Sequence, residues 1–110
     1  AALLAKISAN SECAGRVVDI FNAAGFNGFA ALGLKSGKIQ EGFLADFILV
    51  DLDNVFLLPG HNLYSDVIYS GDTSCITDVF CNGVPVMRNK MVKNEEQIKN
   101  NFIQACKRLM

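Results

Sequence analysis

The sequence predicts an α+β protein: N-terminal helices, then a small antiparallel or mixed β-sheet, then a C-terminal helix. Three observations favour this class. Apolar residues recur at helical spacing in the first third, an apolar run and an Asn-Gly turn occupy the middle, and the last residues are amphipathic. We therefore divide the chain into helices at residues 1–35, a sheet portion at residues 36–93 and an amphipathic helix at residues 94–110.

Composition limits what the protein can do. The chain has 110 residues, of which 51% are apolar and 19% are charged, with a formal net charge of −1. These values predict one folded domain and exclude a basic surface for nucleic acid. The strongest apolar runs are too short to span a membrane, no signal peptide is visible, and cysteines interpreted as reduced favour a cytoplasmic protein. Because the sequence opens at Ala1 rather than Met, we also expect a piece of a longer polypeptide.

The first third is predicted to be helical. Residues 1–7 are rich in Ala and Leu, and Asn10 or Ser11 is expected to cap the next helix, with Glu12 favouring its positive end. That helix is expected to bury an apolar face made by Val17, Val18, Phe21 and Ala24. Either a break occurs near residues 25–27 or the small residues there allow close packing, and one more helical turn follows that ends at Gly33.

The middle changes to strand patterns. Residues 45–52 form an apolar run with little polar alternation, which predicts a strand buried on both faces. Asn82-Gly83 lies between two strand-like runs, and this dipeptide favours a type I′ hairpin turn. Pro85 cannot donate a ladder hydrogen bond, so we expect an edge or a bulge beside it. A second turn is expected at residues 89–90.

The last segment has the clearest helix signals. Asn94 is a suitable N-cap, acidic residues follow it, and basic residues end the segment. Glu95 and Lys99 have the spacing of a favourable ion pair. One apolar stripe predicts that the helix packs against a partner surface; it comprises Ile98, Phe102, Ala105, Cys106 and Leu109.

The four cysteines are interpreted as reduced, buried thiols, because the chain is apolar enough to need no disulfides. They are Cys13, Cys75, Cys81 and Cys106. The sequence leaves a disulfide between Cys75 and Cys81 open.

Candidate catalytic residues are few. His61 is the only histidine, so we expect a loop or packing residue rather than a metal ligand or a catalytic base. Asp46 and Asp51 flank the apolar run too far apart for acid/base partnership, and we expect each to bind backbone N–H groups or a nearby turn. The glycines at 25–28 lack the residues of a phosphate loop. No catalytic, cofactor-binding or metal-binding residue is predicted.

Four segments, in order along the chain, resemble the C-terminal part of amidohydrolase-superfamily enzymes. Residues 37–51, GKIQEGFLADFILVD, resemble the family's G-x-I-x-x-G-x-x-A-D signature. Residues 24–33, AGFNGFAALG, resemble its A-T-x-N-G-A-x-A-L-G helix, and residues 62–69 resemble its D-P-x-S-x-L-V-Y segment. Residues 76–92 are similar to its terminal hairpin. Gly25, Phe29 and Lys90 depart from the family pattern, which suggests a divergent member.

This resemblance implies a C-terminal structural fragment of a metal-dependent hydrolase. The subgroup it indicates includes aminohydrolases and chlorohydrolases, among them S-adenosylhomocysteine deaminases and guanine deaminases, which act on nucleobase-like or triazine-like rings. In that family a TIM barrel carries zinc or iron on ligands that all lie upstream of the matched segments. The resemblance also implies that the sheet belongs to a composite β-sandwich whose other strands come from the N-terminus.

Two readings of the function therefore remain. In the first, the chain completes the fold of such an enzyme, and its partner is the remainder of the parent chain. In the second, it is a stand-alone, non-catalytic dimerisation module. In either case open sheet edges favour self-association with another copy.

Overall fold

The computed structural model describes residues 1–11 and 14–109, and it confirms the α+β class. Helices come first, a four-stranded antiparallel sheet follows, and a long helix comes last. The first three helices are α1 (Ala2–Ala9), α2 (Val17–Ala24) and α3 (Phe26–Ala31).

The predicted break at residues 25–27 is confirmed at Gly25, which separates α2 from α3. The predicted N-cap at Asn10 or Ser11 is wrong, because α2 begins at Val17, directly after Arg16. Asn10 has a positive φ of 46°, and its amide donates to the Ile7 carbonyl at 3.1 Å, so it closes α1 instead of opening α2. Asn tolerates this left-handed conformation better than most residues. The expected role of Glu12 lies outside the described residues.

The sheet has the order β1-β2-β3-β4, with every neighbour antiparallel. Its strands are β1 (Phe47–Val50), β2 (Ile76–Cys81), β3 (Val84–Arg88) and β4 (Met91–Val92). The predicted hairpin is confirmed, because Asn82 and Gly83 have φ values of 49° and 76° between β2 and β3. The expected bulge is also present, since the pairing register shifts beside Pro85.

The prediction that the apolar run is buried on both faces is wrong. β1 is an outer strand of the sheet, and Ile48 and Leu49 are 49% and 47% exposed. Only Phe47 makes a close aromatic contact, stacking on Phe80 of β2 with ring centroids 4.5 Å apart. The run therefore has the composition of a buried strand, but two of its four residues in β1 remain about half exposed.

A long connection joins β1 to β2 and carries most of the small core. It contains α4 (Leu63–Ser65), a π-helical turn over Asp66–Ser70 and a 3₁₀ turn over Thr73–Cys75. Leu57 and Cys75 in this region are almost fully buried. Among the described residues, Ala2 is the only other buried apolar side chain.

The last helix, α5, spans Glu95–Leu109 as predicted. The Asn94 carbonyl accepts the Ile98 amide at 3.0 Å, and Lys99 Nζ lies 2.6 Å from a Glu95 carboxylate oxygen. The apolar stripe, however, is not covered by the part of the chain that the structure describes. Phe102 is 70% exposed and Leu109 is 89% exposed.

The chain exposes far more surface than a compact domain of its size. Its accessible area is 8725 Å², whereas a folded monomer of this mass exposes about 6,000 Å². Its radius of gyration is 17.4 Å, against about 13 Å for a compact chain of this length. Helices and strands are formed, but most of their apolar faces remain open.

Candidate functional site

The Asp46 carboxylate, directly before β1, joins two distant parts of the chain. Its Oδ2 accepts a hydrogen bond from Ser36 Oγ at 2.5 Å, and its Oδ1 accepts one from the Asn82 amide at 2.7 Å. Ser36 is fully buried. The carboxylate therefore ties the loop after α3 to the β2–β3 turn.

Asp51, at the other end of β1, makes a purely local contact. Its Oδ1 accepts the Asp53 amide at 3.1 Å. The expectation that both carboxylates bind backbone groups or a nearby turn is confirmed for Asp46 and for Asp51. Both are structural contacts, and neither brings the two carboxylates into acid/base partnership.

The hydrogen bond from Ser36, followed by that from the Asn82 amide, lowers the pKa of Asp46. A carboxyl whose pKa is lower in the folded state stabilises the fold above its unfolded pKa of about 3.9, and this contribution disappears as the pH falls through the folded pKa. We expect Asp46→Asn to remove the contribution at neutral pH, because an amide has only one accepting oxygen for two donors. The unfolding midpoint should then fall less steeply between pH 5 and pH 2, which equilibrium unfolding at a series of pH values measures.

Asp51→Asn is the matched control for this titration, since its single hydrogen bond closes a local turn. A variant at Asp46 whose acid profile overlays that of the Asp51 variant would contradict the structural role of the Asp46 carboxylate.

A second carboxylate, Asp78, was not singled out by the sequence analysis. It lies in β2, is 6% exposed, and its Oδ1 is 2.8 Å from Arg88 Nε and 3.3 Å from the Asn89 amide. The Thr77 hydroxyl, with the Asn89 amide and Arg88, lowers the pKa of Asp78. The signal was an acidic residue in an apolar strand, ten residues before an arginine across the predicted hairpin. Asp78 holds the β3–β4 turn in place.

His61 is exposed, in the loop before α4. Among residues 1–11 and 14–109, no group of three or more His, Cys, Asp or Glu side chains is placed to hold a metal ion. The described residues therefore do not fit a resident metal.

The thiols are less uniform than expected. Cys75, Cys81 and Cys106 are free, so the disulfide left open between Cys75 and Cys81 is absent. Cys75 is buried and Cys106 is half-buried, but Cys81 is exposed at the end of β2, which corrects the expectation of buried thiols. Cys13 lies outside the described residues.

A cavity of about 480 Å³ lies between the helices and the sheet. Aromatic side chains from both layers line it, namely Phe21, Phe29, Phe47 and Phe80. Its polar lining includes Asp46, whose oxygens are already hydrogen-bonded, and Lys38, whose Nζ lies 3.8 Å from the centroid of the Phe26 ring. The surface is suited to packing against apolar groups and lacks a pair of groups for acid/base work.

The described part of the chain includes no helix that is both long and apolar enough to cross a bilayer.

The structure defines the class as α+β, with helices on either side in sequence of a four-stranded antiparallel sheet. Residues 1–86 match the amidohydrolase family, and the chain belongs to that family. Its relatives include the 5-methylthioadenosine/S-adenosylhomocysteine deaminase 1 of Archaeoglobus fulgidus, which is 35% identical over 97 residues, or 88% of this chain and 23% of that protein. The 5'-deoxyadenosine deaminase of Methanococcus aeolicus is 37% identical over 92 residues, or 82% of this chain and 21% of that protein.

Solved structures agree with this assignment. An adenosine deaminase from Xanthomonas campestris with bound zinc superimposes with a TM-score of 0.90 at 31% identity, covering 97% of this chain and 25% of that one. A triazine hydrolase variant shares the fold, with a TM-score of 0.71 at 23% identity, covering 79% of this chain and 20% of that one. The chain thus spans about a quarter or less of the length of these proteins.

Proposed function

We propose that this chain is the C-terminal structural portion of a metal-dependent hydrolase that cleaves a C–N or C–Cl bond on a nucleobase-like or triazine-like ring. The parent polypeptide, meaning this chain joined to the remainder of such an enzyme, carries the catalytic centre upstream of Ala1. The role of the 110 residues is to complete the fold by burying apolar surface.

The observation that supports this proposal is the large accessible surface area of the chain. The chain exposes about 2,700 Å² more than a compact monomer of its mass. A standard protein interface buries about 800 Å² on each partner. The excess exposed area of this chain is larger and lies in the range that obligate interfaces bury. The part of the relatives' length that this chain does not span is large enough to provide the cover.

The exposed surfaces also support a finer architecture within the parent polypeptide. Residues 1–35 serve as the last helices of a TIM barrel, residues 36–93 as one portion of a composite β-sandwich, and residues 94–110 as a helix packed on the rest. β1 offers an open outer edge to a further strand, and the exposed stripe of α5 offers a surface to a further helix or sheet.

The reaction class rests on the relatives. Their names specify deaminases of adenosine-type nucleosides and a triazine hydrolase, and one structure contains zinc. We place the metal ion, zinc or iron, in the upstream part, because the described residues do not group as ligands. When bound, such an ion would activate water for attack on a ring carbon.

The parent polypeptide is expected to release ammonia from an adenosine-type nucleoside, to lose this activity when a chelator removes the metal, and to regain it with zinc or iron. This chain alone is expected to have no such activity with either metal, because its described residues do not form a metal site. Ammonia release at matched protein concentrations measures both results. A chloride assay with a chlorinated triazine tests the C–Cl alternative.

His61→Ala supplies the control within this chain, and we expect it to leave the parent's activity unchanged because His61 belongs to no cluster of potential metal ligands among the described residues. Metal-dependent activity in this chain alone, abolished by His61→Ala, would overturn the proposal. A parent without activity on either substrate would instead favour the dimerisation module.

A further inference from the structure

The sequence contains two Asn-Gly dipeptides, and both are exposed. Asn82-Gly83 forms the turn between β2 and β3, whereas Asn27-Gly28 lies in α3. An asparagine that precedes a glycine is especially prone to deamidation, because no Cβ hinders attack by the glycine nitrogen. The backbone around each dipeptide therefore decides how fast this reaction proceeds in the folded protein.

Deamidation of Asn82 needs water and no other reagent. The Gly83 nitrogen loses its proton and attacks Cγ of the Asn82 side chain. The new C–N bond closes a succinimide ring, and the bond from Cγ to the side-chain nitrogen breaks, so that ammonia leaves with the displaced proton. Water then adds to either ring carbonyl and opens the ring, which leaves aspartate or isoaspartate at position 82.

Two hydrogen bonds hold the folded turn against the residues that directly precede β1. The Asn82 amide donates to Asp46 Oδ1 at 2.7 Å. The Gly83 amide donates to the Ala45 carbonyl at 2.9 Å, so the proton that must leave is itself hydrogen-bonded. These two amide nitrogens are the end atoms of the Asn82 ψ torsion, and the two contacts therefore restrain rotation about that bond.

The conformation that these contacts hold is unsuited to ring closure. Asn82 has a φ of 49° and lies in the left-handed region, where ψ is about +47°. At that angle the Gly83 nitrogen points away from the Asn82 Cβ. The ring requires the nitrogen on the same side as Cβ, so the attack requires the hydrogen bonds to open first.

We propose that Asn82 is a deamidation site whose rate is set by the contact between the β2–β3 turn and the two residues before β1. The reaction proceeds from the locally opened turn, so the folded protein is modified slowly, and loosening of the start of β1 accelerates the modification. This inference does not rest on the proposed function, because all four residues that carry it belong to this chain.

Neither product fits the folded turn. Isoaspartate carries the main chain through its own Cβ, which adds one atom between the two amide nitrogens and changes their spacing. Aspartate keeps the spacing but adds a negative charge to the residue whose amide binds the Asp46 carboxylate, and like charges repel. Either product therefore weakens the link between β1 and the β2–β3 turn.

The test measures deamidation at both dipeptides of the parent polypeptide, folded and in guanidinium, in water enriched in heavy oxygen. Peptide mass spectrometry gives the two rates, and hydrolase activity is not a readout. In guanidinium Asn82 and Asn27 should react at similar rates. In the folded protein Asn82 should react at least about tenfold more slowly than in guanidinium, since its hydrogen bonds must open first.

Asp46→Ala removes the acceptor of the Asn82 amide and should accelerate deamidation of Asn82 in the folded protein by about fivefold or more. The rate at Asn27 should stay the same. Asp51→Ala, at the other end of β1, is the matched control and should change neither rate. Equal rates, or no modification, at Asn82 in the folded and denatured wild-type protein would overturn the inference. So would an equal acceleration of Asn27 in Asp46→Ala.

Asn82→Asp reproduces the aspartate product and gives a second measurement. It should lower the parent's thermal midpoint by roughly 3 °C or more. Asn27→Asp is its control, because an acidic residue in the first turn of a helix is favourable and should not lower the midpoint. An unchanged midpoint in Asn82→Asp would contradict the conclusion that the modification weakens the turn's contact with β1.

Discussion

Gly37→Ala is expected to destabilise the closed conformation of the loop at residues 36–45, which joins α3 to β1. Gly37 has a φ of +80°, which costs a residue with a Cβ about 1–2 kcal/mol. The added Cβ would also lie 2.7 Å and 2.9 Å from the Cα and N atoms of Phe26, and backbone atoms cannot rotate away. Together, strain and overpacking should cost about 3 kcal/mol. The Leu44 amide donates to the Lys35 carbonyl and so closes the base of this loop. Its hydrogen exchange should speed up by about 100-fold in the parent polypeptide.

Gly42→Ala separates the two causes. Gly42 has the same φ of +80°, but nothing lies within 4 Å of the position its Cβ would take. The variant should therefore lose only the conformational part, about 1 kcal/mol, and exchange at Leu44 should rise by about fivefold. If the two variants exchanged at the same rate, the close approach of the loop to α3 would be absent in solution.

Two features encoded by neighbouring residues, the β2–β3 turn and an ion pair in α5, were predicted correctly. The Asn82-Gly83 turn follows from φ preferences of two adjacent residues, and the structure has both in the positive region. The ion pair between Glu95 and Lys99 likewise depends only on helical spacing. Such local signals need no knowledge of what covers the chain.

The burial of β1, which depends on distant cover, was not predicted correctly. The apolar run at β1 and the stripe on α5 both specify buried surfaces, and in the structure both are open. The composition of a segment predicts whether its surface is buried. It does not predict whether the residues that bury this surface belong to the same segment. The mismatch between pattern and burial is itself what favours a structural part of a larger protein.

The polar contacts were predicted only in part. The sequence indicated that Asp46 would bind a backbone or turn group, because it stands at a strand end. It could not identify Ser36 or Asn82 as the donors, since they lie 10 and 36 residues away and meet only after the sheet forms. Asp78 was missed for the same reason, as its partner is Arg88 on the adjacent strand.

This chain, separated from its parent, is expected to self-associate. We propose that the route is the open edge of β1, where an uncharged four-residue strand can pair with the same strand of another copy. The excess exposed surface exceeds what each subunit of a typical dimer buries, so oligomers should be present at concentrations of about 10 μM. Sedimentation velocity over a range of concentrations measures this.

Two substitutions on different surfaces identify the route. Ile48→Lys places a charge on the edge strand, whereas Phe102→Glu places one on the exposed stripe of α5. If the strand edge dominates, Ile48→Lys should shift the chain toward monomer much more than Phe102→Glu does, because a lysine on an edge opposes pairing with a further strand. The reverse order would assign self-association to α5. A wild-type chain that sediments as a monomer at 100-fold higher concentration would contradict self-association altogether.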